Sequence, residues 1–160
     1  KDFSGKAVWC LKTTCGNTLK SGIINVTAKK LSAVKVDKLD FSDLQINPNE
    51  VYLEYKLFKN KTEISGGTVL FAKAKDFKFI KPDIKTKVKK SGKTATLQIS
   101  SNVFVKAVEL DLKDYDVVFS DNFFDLSADE LKTVKFKTEL SEKEIESQLT
   151  IKYLTNKNER

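Results

Sequence analysis

The chain of 160 residues has no histidine, no methionine, two cysteines and two prolines. Each scarcity removes a class of function. Without histidine, the common Ser-His and Cys-His catalytic arrangements are excluded. A Ser-Lys pair would need a spacing that singles one out, and none does. Two thiols make at most half a zinc site, so no metal is expected. On one extended strand Cys10 and Cys15 would stand roughly 16 Å apart, beyond the limit of about 7 Å for a bridge. Both are therefore expected as free thiols, one buried and one near a turn. Glycine is sparse, and Gly66-Gly67 reads as a turn rather than a phosphate loop. No cofactor is expected. No apolar run is long enough to span a membrane. The first ten residues, KDFSGKAVWC, lack the apolar stretch of a signal peptide. With no Met at position 1, the chain reads as a piece of a longer protein or a mature form.

The net charge is +7, which raises the question of nucleic acid. Arginine, whose planar fork suits phosphate and base edges, occurs only as Arg160. The lysines recur at alternating positions, the pattern of solvated sheet faces and guarded edges. The densest cluster, KTKVKKSGK over residues 85–93, contains the Ser-Gly of a hairpin tip. No nucleic-acid partner is expected.

What remains is a succession of short alternating runs separated by turn residues. Ala7–Thr14 places Ala7, Trp9 and Leu11 on one face. Trp9 reads as a core residue more readily than as a sugar-stacking platform. Cys15-Gly-Asn-Thr18 reads as a hairpin turn, and Leu19–Val26 as the return, with a bulge expected at Gly22. Lys30–Leu44 also alternates and is expected to be strand. Asn47-Pro48-Asn49 breaks the chain. Val51–Lys59 is a long strand, Asn60–Gly67 a turn, and Thr68–Ala74 a return. Asn25 and Asn60 begin Asn-X-Thr sequons, a pattern frequent by chance.

Lys81-Pro82-Asp83 is the best boundary, dividing the chain into 1–80 and 81–160. The second half gives strands at Ile84–Lys89, Thr94–Ser100 and Val103–Leu112. The apolar phase swaps within the last, which predicts a bulge or a change of sheet. Leu131–Thr138 and Gln148–Thr155 close it. Ser127-Ala-Asp-Glu130 and Ser141-Glu-Lys-Glu144 both have capping-box spacing and are expected to start single helical turns. The fold class expected is all-β: two tandem immunoglobulin-like antiparallel β-sandwiches, with one larger sandwich as the alternative.

Val117–Leu126, VVFSDNFFDL, is the most distinctive stretch. Val117, Val118 and Phe119 favour a strand. Ser120, Asp121 and Asn122 favour a tight corner. Phe123, Phe124 and Leu126 are expected to return apolar mass to the core. Phe119, Ser120, Asp121, Asn122, Phe123, Phe124 and Asp125 are read as a structural corner rather than a ligand site.

VFSDNFFDL, preceded by VELDL and followed by LKTVKF, resembles the last β-sandwich of β-mannosidases of glycoside hydrolase family two. The likeness runs in order from about Lys81 to Leu154, through TLQISS, NVFVKAVELDL, the corner and LTIKYL. Residues 1–80 resemble the preceding sandwich less closely, through GKAVWCLKTTCGNTLKSG. The family often has a Pro-Gly turn where this chain has Ser127–Glu130, SADE.

The resemblance implies a non-catalytic C-terminal region that packs on and stabilises a catalytic (β/α) barrel elsewhere in the same polypeptide. It implies an intact enzyme that removes terminal non-reducing β-D-mannose from oligosaccharides with retention. Relatives with similar domains act on β-glucosaminides. The compartment it implies is periplasmic or secreted for a bacterial parent, lysosomal for an animal one. Glycoside hydrolysis needs two carboxylates about 5 to 10 Å apart across a sugar-sized cleft. Glu54, Glu109, Asp111, Asp121 and Asp125 lie on or near strands, but the family's catalytic glutamates belong to the barrel. No catalytic residue is carried over. Two rival readings stand beside this one. A carbohydrate-binding module would use exposed aromatics, with Tyr52, Phe58, Tyr115 and Tyr153 as candidates. A surface-adhesin sandwich would need no enzyme.

Overall fold

A long hairpin opens the chain. In the computed structural model, which describes residues 1–156, β1 (Phe3–Thr13) and β2 (Thr18–Ala28) pair antiparallel. Gly16 takes φ 89° in the turn between them, a conformation glycine adopts without steric cost. The register runs unbroken past Trp9↔Gly22 and slips only between Leu11 and Lys12. The bulge expected at Gly22 is therefore absent. The glycine serves close approach instead: a Cβ there would stand 2.7 Å from the Trp9 ring.

β3 (Val51–Lys59) pairs with the free side of β1, and β4 (Thr62–Leu70) pairs with β3. The first sheet is β2-β1-β3-β4, antiparallel throughout. The β3–β4 turn is only Asn60-Lys61, with Asn60 left-handed at φ 55°. Gly66 and Gly67 lie inside β4, opposite Lys56 and Tyr55, so the expected turn at Gly66-Gly67 is corrected to strand.

Lys30–Leu44 is likewise not a strand. Leu31 is left-handed at φ 57° and 97% exposed. It turns the chain away from the β2 edge. Asp37 and Asp40 then accept hydrogen bonds from the backbone of Lys38 and Ser42, local bonds that compete with a ladder. The segment is held by Phe41, whose ring meets Trp9 edge-on at 5.8 Å and Phe71 at 5.9 Å. A short 3-10 turn, Ala74–Asp76, follows β4.

The chain divides into two compact units, Lys1–Lys78 and the residues from Phe79 onward. In the second unit β5 (Ile84–Ser91), β6 (Thr94–Ser101) and β9 (Lys132–Lys137) form one sheet, in the order β5-β6-β9. β7 (Val105–Leu112), β8 (Phe124–Leu126) and β10 (Leu149–Lys152) form the other, in the order β10-β7-β8. Alternation does the sorting. Ala95, Leu97 and Ile99 of β6 point inward and are wholly buried, with Val88 and Val134 flanking Leu97 in register. Val108, Leu110, Leu112 and Leu126 come from the facing sheet to complete the core. Each such side chain contributes about 1.5–3 kcal/mol when removed from water.

The phase swap in β7 is a bulge between Val105 and Val108, with Ala107 left-handed at φ 54°. Ser141 and Glu144 form the expected capping box. The helix it starts, α1 (Glu142–Gln148), is longer than one turn because Ile145 is drawn into the core. Ser127–Glu130 starts no helix. Asp129 goes left-handed at φ 61°, and its N–H donates to the Ser101 carbonyl.

Candidate functional site

Val117–Phe119 are not in a strand; Phe119 instead packs edge-on against Phe136 at 4.9 Å. At Ser120 the chain meets β9. The Ser120 N–H donates to the Lys135 carbonyl at 2.7 Å, and its Oγ accepts from the Lys135 N–H at 2.9 Å. Asp121 pairs with Lys132 at 2.6 Å. Two residues beyond Ser120 the chain meets β7 of the other sheet. Asn122 Oδ1 accepts from the Leu110 N–H at 2.8 Å, and its Nδ2 donates to the Leu110 carbonyl at 2.9 Å. The polar triplet thus clasps both sheets.

Phe123 then takes φ 60° and stands 67% exposed. That corrects its expected place in the core. The reversal at Phe123 allows Phe124 and Leu126 to turn inward. Lys132 Nζ lies 4.7 Å from the centre of the Phe124 ring. Asp125 faces the β7 bulge: one oxygen accepts from the Ala107 N–H at 3.0 Å, the other from Lys106 Nζ at 2.6 Å. A bulge leaves an amide without a ladder partner, and Asp125 supplies one.

Of the carboxylates named from sequence, Glu109 and Asp111 stand two residues apart on β7, and Glu54 belongs to the first unit. Glu54 lies on β3 between Lys12, at 2.5 Å, and Lys56, at 3.3 Å, with 13% of its side chain exposed. Burial pushes its carboxyl up, but the hydrogen bonds and charges of Lys12 and Lys56 outweigh that and hold it below the usual range. For Lys12, burial pushes down while Glu54 pulls the ammonium above its usual value. A glycosidase acid needs the opposite shift, upward. Glu109 faces Lys152 at 3.5 Å. Asp111 is exposed on β7. Among the described residues no group of His, Cys, Asp or Glu could hold a metal ion.

The aromatic candidates do not form a row. Tyr52 is fully buried, Tyr153 packs against the second core, and Phe58 is half-buried. Tyr115 is exposed by itself on the β7–β8 connection. The row that exists was not visible from periodicity. Trp9 and Tyr55 are cross-strand partners, flanked in register by Gly22 of β2 and Gly67 of β4. Each ring leans over its glycine. Only the register of all four strands reveals this, and the two glycines were the signal. Both thiols are free, Cys10 half-buried and Cys15 exposed in the turn. Arg160 lies outside the described residues.

Residues 1–76 match the family model of the mannosidase Ig/CBM-like domain, and residues 79–157 that of the mannosidase Ig-fold domain. The chain is a tandem of mannosidase-type immunoglobulin-like domains. No curated protein matches the sequence. Among solved structures, the chain is similar to the β-D-mannosidase of Dictyoglomus thermophilum, with TM-score 0.82 and 20% identity over 98% of this chain and 19% of that one. It is also similar to the exo-chitosanase of Amycolatopsis orientalis, with TM-score 0.58 and 12% identity over 96% of this chain and 23% of that one. At these identities the likeness is one of fold. The chain spans about a fifth of the length of either enzyme. The two domain matches and the all-β fold support reading the chain as an accessory region.

Proposed function

We propose that this chain is the non-catalytic C-terminal region of a β-mannosidase-like glycoside hydrolase, divided near residue 80, which packs on and stabilises the catalytic barrel. The intact enzyme would hydrolyse terminal non-reducing β-D-mannose. The observation that carries the reading is the tandem of two mannosidase domain matches covering nearly the whole chain. The lowered carboxyl of Glu54 agrees with it, since a carboxylate kept ionised by two lysines is a poor proton donor at neutral pH.

The test has two arms. The chain alone, given an aryl β-D-mannoside, should show no turnover above buffer. The full-length parent should lose thermal stability when these residues are removed. Turnover by the chain alone, or a truncated parent of unchanged stability, overturns the proposal.

One observation favours a second reading, a carbohydrate-binding module: Tyr55 is 42% exposed beside Trp9, and aromatic faces stack on sugar rings. Heat on titration with mannan that disappears in Tyr55→Ala would support it. Silence in that titration removes it.

A further inference from the structure

We infer that the outer face of the β5-β6-β9 sheet is a binding surface for a linear acidic polysaccharide, a chain bearing a carboxylate on successive sugars. The register builds this face. Ala95, Leu97 and Ile99 point into the core, so their neighbours Thr94, Thr96, Gln98 and Ser100 form the outward floor along β6. On one side β5 sets Lys89 opposite Thr96, Lys87 opposite Gln98 and Lys85 opposite Ser100. On the other, β9 sets Lys137 opposite Thr94 and Lys135 opposite Thr96. These lysines are all exposed. The result is a strip of hydroxyl and amide groups between two rows of ammonium groups. Along each row the spacing is about 6.8 Å, and the rows stand about 9.5 Å apart across two strand spacings.

The face carries no Asp or Glu in register with these lysines. Lys85 reaches Asp83 only at 4.0 Å, at the start of the strand. Lys87, Lys89, Lys135 and Lys137 have no acidic partner within ion-pair distance among the described residues. Elsewhere the same chain alternates signs across neighbouring strands, as in Lys12–Glu54–Lys56–Glu63. Lysines about 6.8 Å apart along one row repel, and a bound polyanion would relieve that repulsion. Guarding the edges of β5 and β9 against pairing accounts for some of these lysines, but it does not require an acid-free floor between them.

The side chains select among polyanions. The face has no arginine for bidentate phosphate contacts and no aromatic ring for base stacking. Its hydroxyls and the Gln98 amide match the hydroxyls of a sugar chain, while the lysines match its carboxylates. This inference does not rest on the mannosidase reading, because it is argued from the register and charges of this sheet alone.

The test is titration of the whole chain with polygalacturonate at an ionic strength of about 20 mM, where screening is weak. Mannan and a single-stranded DNA oligonucleotide serve as comparison ligands. The triple variant Lys87→Gln, Lys135→Gln, Lys137→Gln is compared with Lys30→Gln, Lys35→Gln, Lys61→Gln, which removes the same charge from exposed positions elsewhere. The face variant should bind about tenfold more weakly, with a salt slope smaller by about two. The control variant should stay within about twofold of the parent chain. Lys87→Arg, Lys135→Arg, Lys137→Arg should retain binding. No binding of polygalacturonate overturns the inference. So does equal weakening in the two glutamine variants, or tighter binding of DNA than of polygalacturonate.

Discussion

The carboxamide of Asn122 holds both backbone polar groups of Leu110, at 2.8 and 2.9 Å. One side chain thereby does for β7 what a neighbouring strand does elsewhere. Asn122→Ala leaves a partly buried N–H and carbonyl unmatched and should destabilise the chain by about 1–3 kcal/mol. Asn122→Asp keeps the acceptor and loses the donor, so its cost should be smaller at low pH than at neutral pH, where a charge faces the Leu110 carbonyl. Urea denaturation with unchanged m-value is the measurement. A neutral Asn122→Ala would remove the structural role given to the corner.

Glu54 gives a pH dependence with a definite sign. Its folded-state pKa lies below the ordinary 4.5. Its contribution is therefore present above about pH 4.5 and lost as pH falls through the folded-state value. Lys12 is raised above 10.5, so its share holds below that pH and fades in stronger alkali. Glu54→Gln strands Lys12 beside a neutral amide and should cost about 1–3 kcal/mol at pH 7. Stability measured from pH 3 to 7 should fall less steeply on the acid side in Glu54→Gln than in the parent chain.

Gly22 and Gly67 look alike in sequence and should behave differently. A methyl at Gly22 would lie 2.7 Å from Trp9 Cζ2, within a ring already braced by Phe41. Gly22→Ala should cost about 1–3 kcal/mol and shift the tryptophan emission. A methyl at Gly67 meets Tyr55 Oη at 2.9 Å, the far end of a side chain that is 42% exposed. Gly67→Ala should change stability by less than about 1 kcal/mol, since restricting the unfolded chain offsets the shift of the ring.

Leu97 is wholly buried at the centre of β6. Leu97→Ala should cost about 2–5 kcal/mol. If the units melt separately, calorimetry should show only the transition of the second unit displaced.

How far the fold can be read from sequence depends on what opposes each local preference. Val51–Lys59 is legible to the residue because nothing competes with its alternation between Asn49 and Asn60. The β7 bulge is legible from the phase swap around Ala107. Lys30–Leu44 misleads because its apolar alternation is real, while Leu31 and two aspartates divert the backbone. Gly66-Gly67 misleads because glycine marks turns and ring-covered strand positions alike. At the corner, the polar triplet is legible as a turn. That Ser120 and Asn122 grip different sheets is not, because it depends on Leu110 and Lys135 arriving on either side. The lysine face lay in plain view as KTKV, but its missing acids became visible only when β9 was laid beside β6.

The double grip of Ser120 and Asn122 makes an irregular loop behave as a pin through both layers. The protected amides of Leu110 and Lys135 sit on opposite sheets, yet each is capped by a residue of the same short stretch. Their hydrogens should therefore exchange with solvent in concert, at the pace of the whole unit coming apart rather than that of a fraying end.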